Sequence, residues 1–231
     1  MSLQEYKRKR NFSKTAEPNA DEQVAPGNRF VIQKHDATRL HYDLRLEMGG
    51  TLKSWAVPKG MPYARGEKHL AVQVEDHPVA YAEFEGTIPK GQYGGGTVMV
   101  WDQGTYEPLS SSPDKELVTG KLHFILHGEK LEGEWYLVRL RDGENQWLLI
   151  KGGQDMKPIS KRLDDLSALS GKTMKALSRG DRIWHSRQTS TRTNDGTKPK
   201  KTVRAAALPP FFQPMEAQLV VAPPKAIGFT N

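Results

Sequence analysis

Gln33-Lys34-His35, then five residues, then His41-Tyr42-Asp43-Leu44-Arg45-Leu46-Glu47-Met48, is the stretch that decides the architecture. Side chains two apart in a strand point the same way. His41, Asp43, Arg45 and Glu47 therefore share one face, while Tyr42, Leu44, Leu46 and Met48 share the other, which must meet a core. In the preceding run Phe30 and Ile32 lie on one side, and Val31, Gln33 and His35 on the opposite one. If the five residues 36–40 close a hairpin, both strands present imidazoles and a carboxylate on one polar face, bringing His35, His41 and Asp43 within reach of a common ion. Two neutral imidazoles and a carboxylate suit Mn, Fe or Zn and leave positions open for water or substrate, as metal catalysis requires. The plainer alternative is a polar outer strand face that happens to hold two of the chain's seven histidines.

The same grammar extends outward. Short runs rich in Val, Ile, Leu, Phe, Tyr and Trp, separated by Gly, Pro and Asp turns, predict strands over 30–35, 41–48, 51–57, 69–75, 81–86, 97–106, 121–127, 132–139 and 146–150. No long amphipathic pattern interrupts them. Short strands without crossover helices imply an antiparallel sandwich or barrel, an all-β fold. Trp55, Val72, Val98, Val100, Phe124, Trp135 and Leu148 read as core, and Leu70, Val72 and Val74 as one apolar strand face. Residues 1–28 read as an irregular arm. After Gly153 the strand signal stops; 163–179 suggests one or two short helical turns, and 188–201 has the composition of a disordered linker.

At 231 residues the chain can bury a substantial core, and no run approaches a membrane span. The N-terminus lacks the apolar stretch of a secretory signal, so a cytoplasmic protein is expected. Zero Cys excludes disulfides, thiolate catalysis and sulfur-ligated metals. The net charge of +7 is unevenly placed: residues 28–151 carry 15 Lys and Arg against 17 Asp and Glu, whereas residues 152–205 carry 13 against 5. A basic tail beside a near-neutral body fits salt-sensitive contact with a nucleic-acid backbone, or simply a solvated linker.

Groups suited to phosphate surround the candidate ligands. Arg45 offers a bidentate fork and Lys59, in Ser54-Trp-Ala-Val-Pro-Lys-Gly60, a compact charge; both could offset charge on a transferring phosphoryl group. His77 and Tyr81 follow just beyond a strand, and His77 could hold a phosphate oxygen or protonate a leaving alkoxide. Taken singly, Lys59 also reads as a solvated loop lysine and His77 as a turn histidine. The glycine-rich stretch 86–96 lacks the Gly-Lys-Ser/Thr ending of a nucleotide P-loop and reads as a turn or barrel corner.

These motifs, together with Gln73-Val-Glu-Asp-His-Pro78, Phe84-Glu-Gly-Thr-Ile-Pro89 and the arm's Glu5-Tyr6, Lys9-Arg10-Asn-Phe12 and Thr15-Ala-Glu-Pro18, resemble the 3′-phosphoesterase domain of bacterial DNA ligase D over about residues 4–155. The resemblance implies a compact antiparallel β-barrel at 29–155, with an arm at 1–28 contributing to the site, and at 208–231 a remnant similar to the entry into a ligase domain; composition adds a short helical appendage at 156–180 and a basic disordered linker at 181–207. It implies removal of 3′-terminal ribonucleosides and 3′-phosphates from primer-template ends in double-strand-break repair. His35, His41 and Asp43 would bind Mn²⁺ or another divalent transition metal. Arg45, Lys59 and His77 would engage the phosphate, Gln33 and Tyr81 would line the pocket, and Arg10 and Glu17 would complete it from the arm. Two positions depart from the family pattern: His69 stands where an arginine is familiar, making a substrate contact pH-dependent, and Asn11 replaces an aspartate.

No lysine-Xaa-Asp-Gly adenylation motif follows, so no sealing activity is expected; the chain reads as a stand-alone enzyme or as a piece of a longer ligase. The expected partners are DNA or RNA-tipped 3′ ends and, in trans, a ligase or polymerase and an end-binding protein. A nucleoid-associated monomer without membrane contact is expected. Two other classes compete: a non-haem Fe(II) oxygenase, whose His-Xaa-Asp…His triad also sits on a β-barrel, and a non-catalytic DNA-end-binding module.

Overall fold

The computed structural model describes residues 2–20 and 27–179. The linker and ligase-like remnant expected at 181–207 and 208–231 lie outside the described residues. Among the described residues nine strands form one antiparallel sheet: β1 (Arg29–Asp36), β2 (Leu40–Met48), β3 (Thr51–Val57), β4 (Lys68–Pro78), β5 (Gly86–Ile88), β6 (Gly96–Pro108), β7 (Lys121–Gly128), β8 (Glu132–Arg139) and β9 (Gln146–Lys151). The order β1-β2-β3-β4-β9-β8-β7-β6 closes through a β1–β6 pairing into an eight-stranded barrel, with β5 attached to β6. Closure pairs both edges of the eight-stranded barrel, and the remaining free edge is that of the three-residue β5.

Alternation divides the apolar residues between two cores. Inside the barrel lie Phe30, Ile32, Leu44, Leu46, Trp55, Phe124, Trp135, Trp147 and Leu149, all nearly or fully buried. At roughly 1.5–3 kcal/mol for each fully buried large apolar side chain, this cluster dominates the gross stabilisation. A second cluster lies on the outer wall. It joins Val31, Val98 and Val100 to Leu52, Tyr81, Phe84 and Ile88, with Tyr6 of the arm buried against them and Phe12, Ala16 and Ala20 packed alongside. This outer cluster seats the arm beside the polar face of β1 and β2.

Several expectations are corrected. The arm is not wholly irregular: Leu3–Lys9 forms helix α1, with a Glu5–Lys9 pair at 3.0 Å. Seven residues are too few to hold a helix alone, so the buried Tyr6, whose hydroxyl donates to the Pro18 carbonyl at 2.7 Å, anchors it. The strand expected at 81–86 is instead a 3-10 turn, Val79–Glu83, which follows Pro78 and buries Val79, Tyr81 and Ala82; β5 begins only at Gly86. The apolar face assigned to β4 is inverted. Leu70 is exposed and Val72 and Val74 are half-buried, while Ala71 is fully buried and Gln73 accepts a hydrogen bond from Trp147 Nε1 at 3.1 Å. Leu148 is likewise half-buried, its neighbours Trp147 and Leu149 being the core residues.

A register shift between Leu52 and Ser54 puts an extra residue into β4 opposite β3. Such a bulge re-aims side chains, and here both Glu75 and His77 reach the arm's Arg10. Helix α2 (Pro113–Thr119) joins β6 to β7. Beyond β9, α3 (Lys161–Asp164) and α4 (Met174–Ser178) are capped by Ser160 and Thr173. Asp164 accepts from Tyr42 Oη at 2.8 Å and Trp101 Nε1 at 3.0 Å and pairs with Lys34, fastening this segment to the barrel. Among the described residues no helix is long and apolar enough to cross a membrane.

Candidate metal and phosphate site

The hairpin of β1 and β2 builds the site. Its register places His35 opposite His41 and Gln33 opposite Asp43, and directly opposed residues share a face. The two imidazole centroids lie 4.8 Å apart. One ligand atom from each of His35, His41 and Asp43 falls within 4.8 Å of the others. Tetrahedral donors at about 2.0–2.2 Å from a transition metal lie about 3.3–3.6 Å apart, so the widest of these separations would close by about an ångström around an ion. His35 Nε2 is buried without a hydrogen-bond partner, an arrangement normally costly. Burial holds the His35 pKa below its usual value, against the pull of the Asp43 carboxylate, so the ring is a neutral potential ligand. His41 is half-buried, its Nδ1 2.9 Å from the Arg39 carbonyl and its Nε2 3.6 Å from Asp43. That leaves the Nε2 edge for an ion.

Gly96 explains how the neighbouring loop fits so closely: its φ is +152°, and a Cβ there would collide with the Asp36 carbonyl oxygen at the end of β1. The glycine-rich stretch thus makes the β5–β6 turn over the His35 end of the hairpin, in line with its reading as a turn.

Behind the candidate ligands stands a buried guanidinium network. Arg45 Nη2 donates to Asp43 Oδ2 at 3.0 Å and Nε to Gln33 Oε1 at 2.7 Å, while Nη1 lies 3.0 Å from His77 Nδ1. Gln33 spends its amide protons on the Tyr81 and Phe84 carbonyls at 2.9 and 3.1 Å, tying Arg45 to the 3-10 turn. From the arm, Arg10 donates to Glu17 Oε1 at 2.7 Å and to Glu75 Oε1 at 2.9 Å, lies 3.1 Å from His77 Nε2, and stacks over Tyr6 at 3.9 Å. Tyr81 Oη donates to Glu17 at 3.2 Å.

His77 lies between the two guanidinium groups. Its Nδ1 lies between the Glu75 carbonyl at 2.9 Å and Arg45 Nη1 at 3.0 Å, and its Nε2 lies 3.1 Å from Arg10 Nη2, a donor. Burial, reinforced by Arg45 and Arg10, pushes the His77 pKa well below the usual value, so the ring is neutral near pH 7. Burial also opposes charge on Glu75, but Arg10 and Lys9 outweigh it and hold its carboxyl below the usual range. Buried ion pairs are a weak source of stability, so such a network is better explained by a site.

The structure thus gathers His35, His41, Asp43, Gln33, Arg45, His77, Tyr81, Arg10 and Glu17 around one wall. Lys59 is exposed on the turn after β3 and makes no hydrogen bond or ion pair among the described residues. His69 stands apart from this network, Nδ1 2.7 Å from the Gly60 carbonyl and Nε2 3.1 Å from Glu67. Glu75, Ser54, Lys9 and Tyr93 join this wall beyond the residues that the motifs point to. Ser54 Oγ is 3.3 Å from His77 Nδ1, and Lys9 Nζ is 3.1 Å from Glu75 Oε2. Glu75 carried a usable signal, being two residues from His77, although only the bulge brings both to Arg10.

Residues 33–139 match the family model described as the DNA Ligase D 3′-phosphoesterase domain. The chain is 42% identical over 228 residues to the multifunctional non-homologous end joining protein LigD of Pseudomonas aeruginosa, covering 96% of this chain and 27% of that protein. It is 45% identical over 159 residues to the multifunctional non-homologous end joining DNA repair protein LigD of Mycobacterium tuberculosis, and 46% identical over 153 residues to the corresponding protein of Mycolicibacterium smegmatis. These alignments cover 67% and 63% of this chain and 20% of each relative. The chain therefore spans about a quarter or less of the length of these relatives. The barrel, the His-His-Asp cluster at its wall and the match over 33–139 agree: this chain belongs to the family of DNA ligase D 3′-phosphoesterase domains.

Proposed function

We propose that the chain is a Mn²⁺-dependent phosphoesterase that trims DNA 3′ ends, removing terminal ribonucleosides and 3′-phosphates so that broken ends can be joined. The observation that carries this reading is the three-donor cluster with its buried, unpartnered His35 Nε2, set on a barrel of this family. With no cysteine in the chain, N and O donors are the available strong ligands, a set suited to Mn²⁺. When bound, the ion supplies a Lewis acid for a phosphoryl oxygen.

The chain's own residues would act around it. His35, His41 and Asp43 hold the ion, and Arg45 fixes the Asp43 carboxylate through its 3.0 Å hydrogen bond. Arg45 and Arg10 set a positive field behind the reacting phosphate, with neutral His77 keeping the two guanidinium groups at fixed separation. This favours His77 as an orienting group over a resting proton donor. Exposed Lys59 is available to a phosphate approaching from solvent, and His69 contributes from the start of β4, beside the turn that carries Lys59. Gln33, Tyr81 and Glu17 hold the guanidinium groups in place. The substrate is a primer-template 3′ end, and a ligase or polymerase and an end-binding protein acting in trans would complete joining. The enzyme itself would work as a monomer.

The test is a primer-template ending in one or two 3′ ribonucleotides, incubated with and without Mn²⁺. Shortening of the primer that requires Mn²⁺ and disappears in His41→Ala is expected. Absence of shortening with every divalent metal would leave an end-binding module as the reading.

A further inference from the structure

We propose that Tyr93 is a stacking platform for the terminal nucleobase of the primer strand, a contact that rests on the phosphoesterase reading above. Tyr6 and Tyr81, the other tyrosines of this wall, are buried, whereas Tyr93 is 46% exposed. Its position is nevertheless defined. The hydroxyl donates to Glu75 Oε2 at 3.3 Å and receives Lys9 Nζ at 3.3 Å. Lys9 Nζ lies 5.0 Å and the Arg10 guanidinium 5.4 Å from the ring centroid. The hydroxyl is thus tied to the arm and to β4 and two cations lie over the ring, while nearly half of the residue's surface stays open to solvent. The loop carrying it is braced by hydrogen bonds from Gln92 N to the Pro89 carbonyl at 3.1 Å and from Gly95 N to the Gln92 carbonyl at 3.0 Å.

The next residue places this ring beside the chemistry. A Cβ on Gly94 would lie 4.0 Å from Cε1 of His35, so the Tyr93 loop packs against one of the three metal-cluster residues. A strand whose terminal phosphate meets the cluster must put its last base within a nucleotide's reach. Every base offers a π face, and an aromatic ring with cations nearby accepts it without demanding a sequence. A purely structural Tyr93 would serve only to bridge Lys9 and Glu75 through its hydroxyl. Tyr93→Phe removes that bridge and keeps the ring; Tyr93→Leu removes the aromatic face.

The experiment uses the full chain with Mn²⁺ and two primer-templates, one ending in a ribonucleotide carrying 2-aminopurine and one ending in the same sugar without a base. Wild type and Tyr93→Phe should quench 2-aminopurine fluorescence in the mixing phase before cleavage, and favour the base-bearing end by on the order of tenfold in kcat/KM. In Tyr93→Leu the quench should vanish and the preference fall to about unity. Quenching and preference undiminished in Tyr93→Leu would overturn the proposal, as would loss of both in Tyr93→Phe or an equal loss on both ends. Absence of shortening in wild type on either end would reject the phosphoesterase reading itself, and the platform with it.

Discussion

Asp43 and Asp102 are both buried carboxylates on barrel strands that flank β1, yet the fold treats them in opposite ways. Asp102 is saturated by backbone amides: Oδ1 accepts from Gln103, Glu129 and Lys130 at 2.9–3.0 Å, and Oδ2 accepts from Leu131 at 2.9 Å. Burial pushes its pKa up and the four amides pull against that rise. The carboxylate is spent on shaping the β7–β8 turn. Asp43 receives one strong hydrogen bond, from Arg45, and otherwise faces His35 and His41 at 3.9 and 3.6 Å. A structural acid has its lone pairs filled by the chain, whereas a ligand keeps lone pairs unfilled and is held by a neighbour. Geometry of this kind separates the two roles where burial alone does not.

Replacing each acid by its amide separates the two roles most strongly. Asp43→Asn should lose more than about 100-fold in Mn²⁺-dependent cleavage, with little change in the urea midpoint. Asp102→Asn should do the reverse: the amide puts a donor against backbone N–H groups, costing about 1–3 kcal/mol of stability while cleavage persists below the transition. Equal stability losses in the two variants would erase the distinction. Next in size is Arg45→Lys. A single ammonium cannot reach Asp43, Gln33 and His77 together, so cleavage or Mn²⁺ affinity, read by kinetics and metal titration, should fall about 10- to 100-fold. An unchanged titration would show that Asp43 needs no holder.

The smallest effect is on pH dependence. Because burial and two guanidinium groups lower the His77 pKa in the fold, the unfolded chain takes up a proton near pH 6.5 that the folded chain refuses. This contribution to stability is intact above about pH 6.5 and is lost as the pH falls below it, by up to about 1.4 kcal/mol per pH unit for one proton. His77→Gln should therefore flatten the decline of the urea midpoint between pH 6.5 and 5. A decline as steep as that of wild type would assign the acid sensitivity elsewhere.

Most of the candidate metal cluster was legible because it rests on a period of two over one hairpin: once 30–35 and 41–48 are strands, His35, His41, Asp43 and Arg45 share a face. The same rule misplaced β4, because it cannot see a bulge. Leu70, Val72 and Val74 look like a core face, but Ala71 and Gln73 face the interior and the extra residue turns Glu75 and His77 outward. Tyr81 and Ala82 read as strand because they are apolar; they are buried, but in a 3-10 turn beneath the arm.

The sequence by itself determined the all-β architecture, the metal-capable hairpin and the family, because pattern, turn chemistry and motif spacing are local properties. Tertiary structure alone decided that the site lies on the outer wall, that α1 lays Arg10 against His77, and that Asp102 is spent on a turn while Asp43 is not. These facts depend on contacts distant in sequence, such as Asp102 with Leu131, 29 positions apart, and Arg10 with His77, 67 positions apart. No local periodicity encodes such contacts; closure of the barrel and burial of Tyr6 in its outer cluster create them.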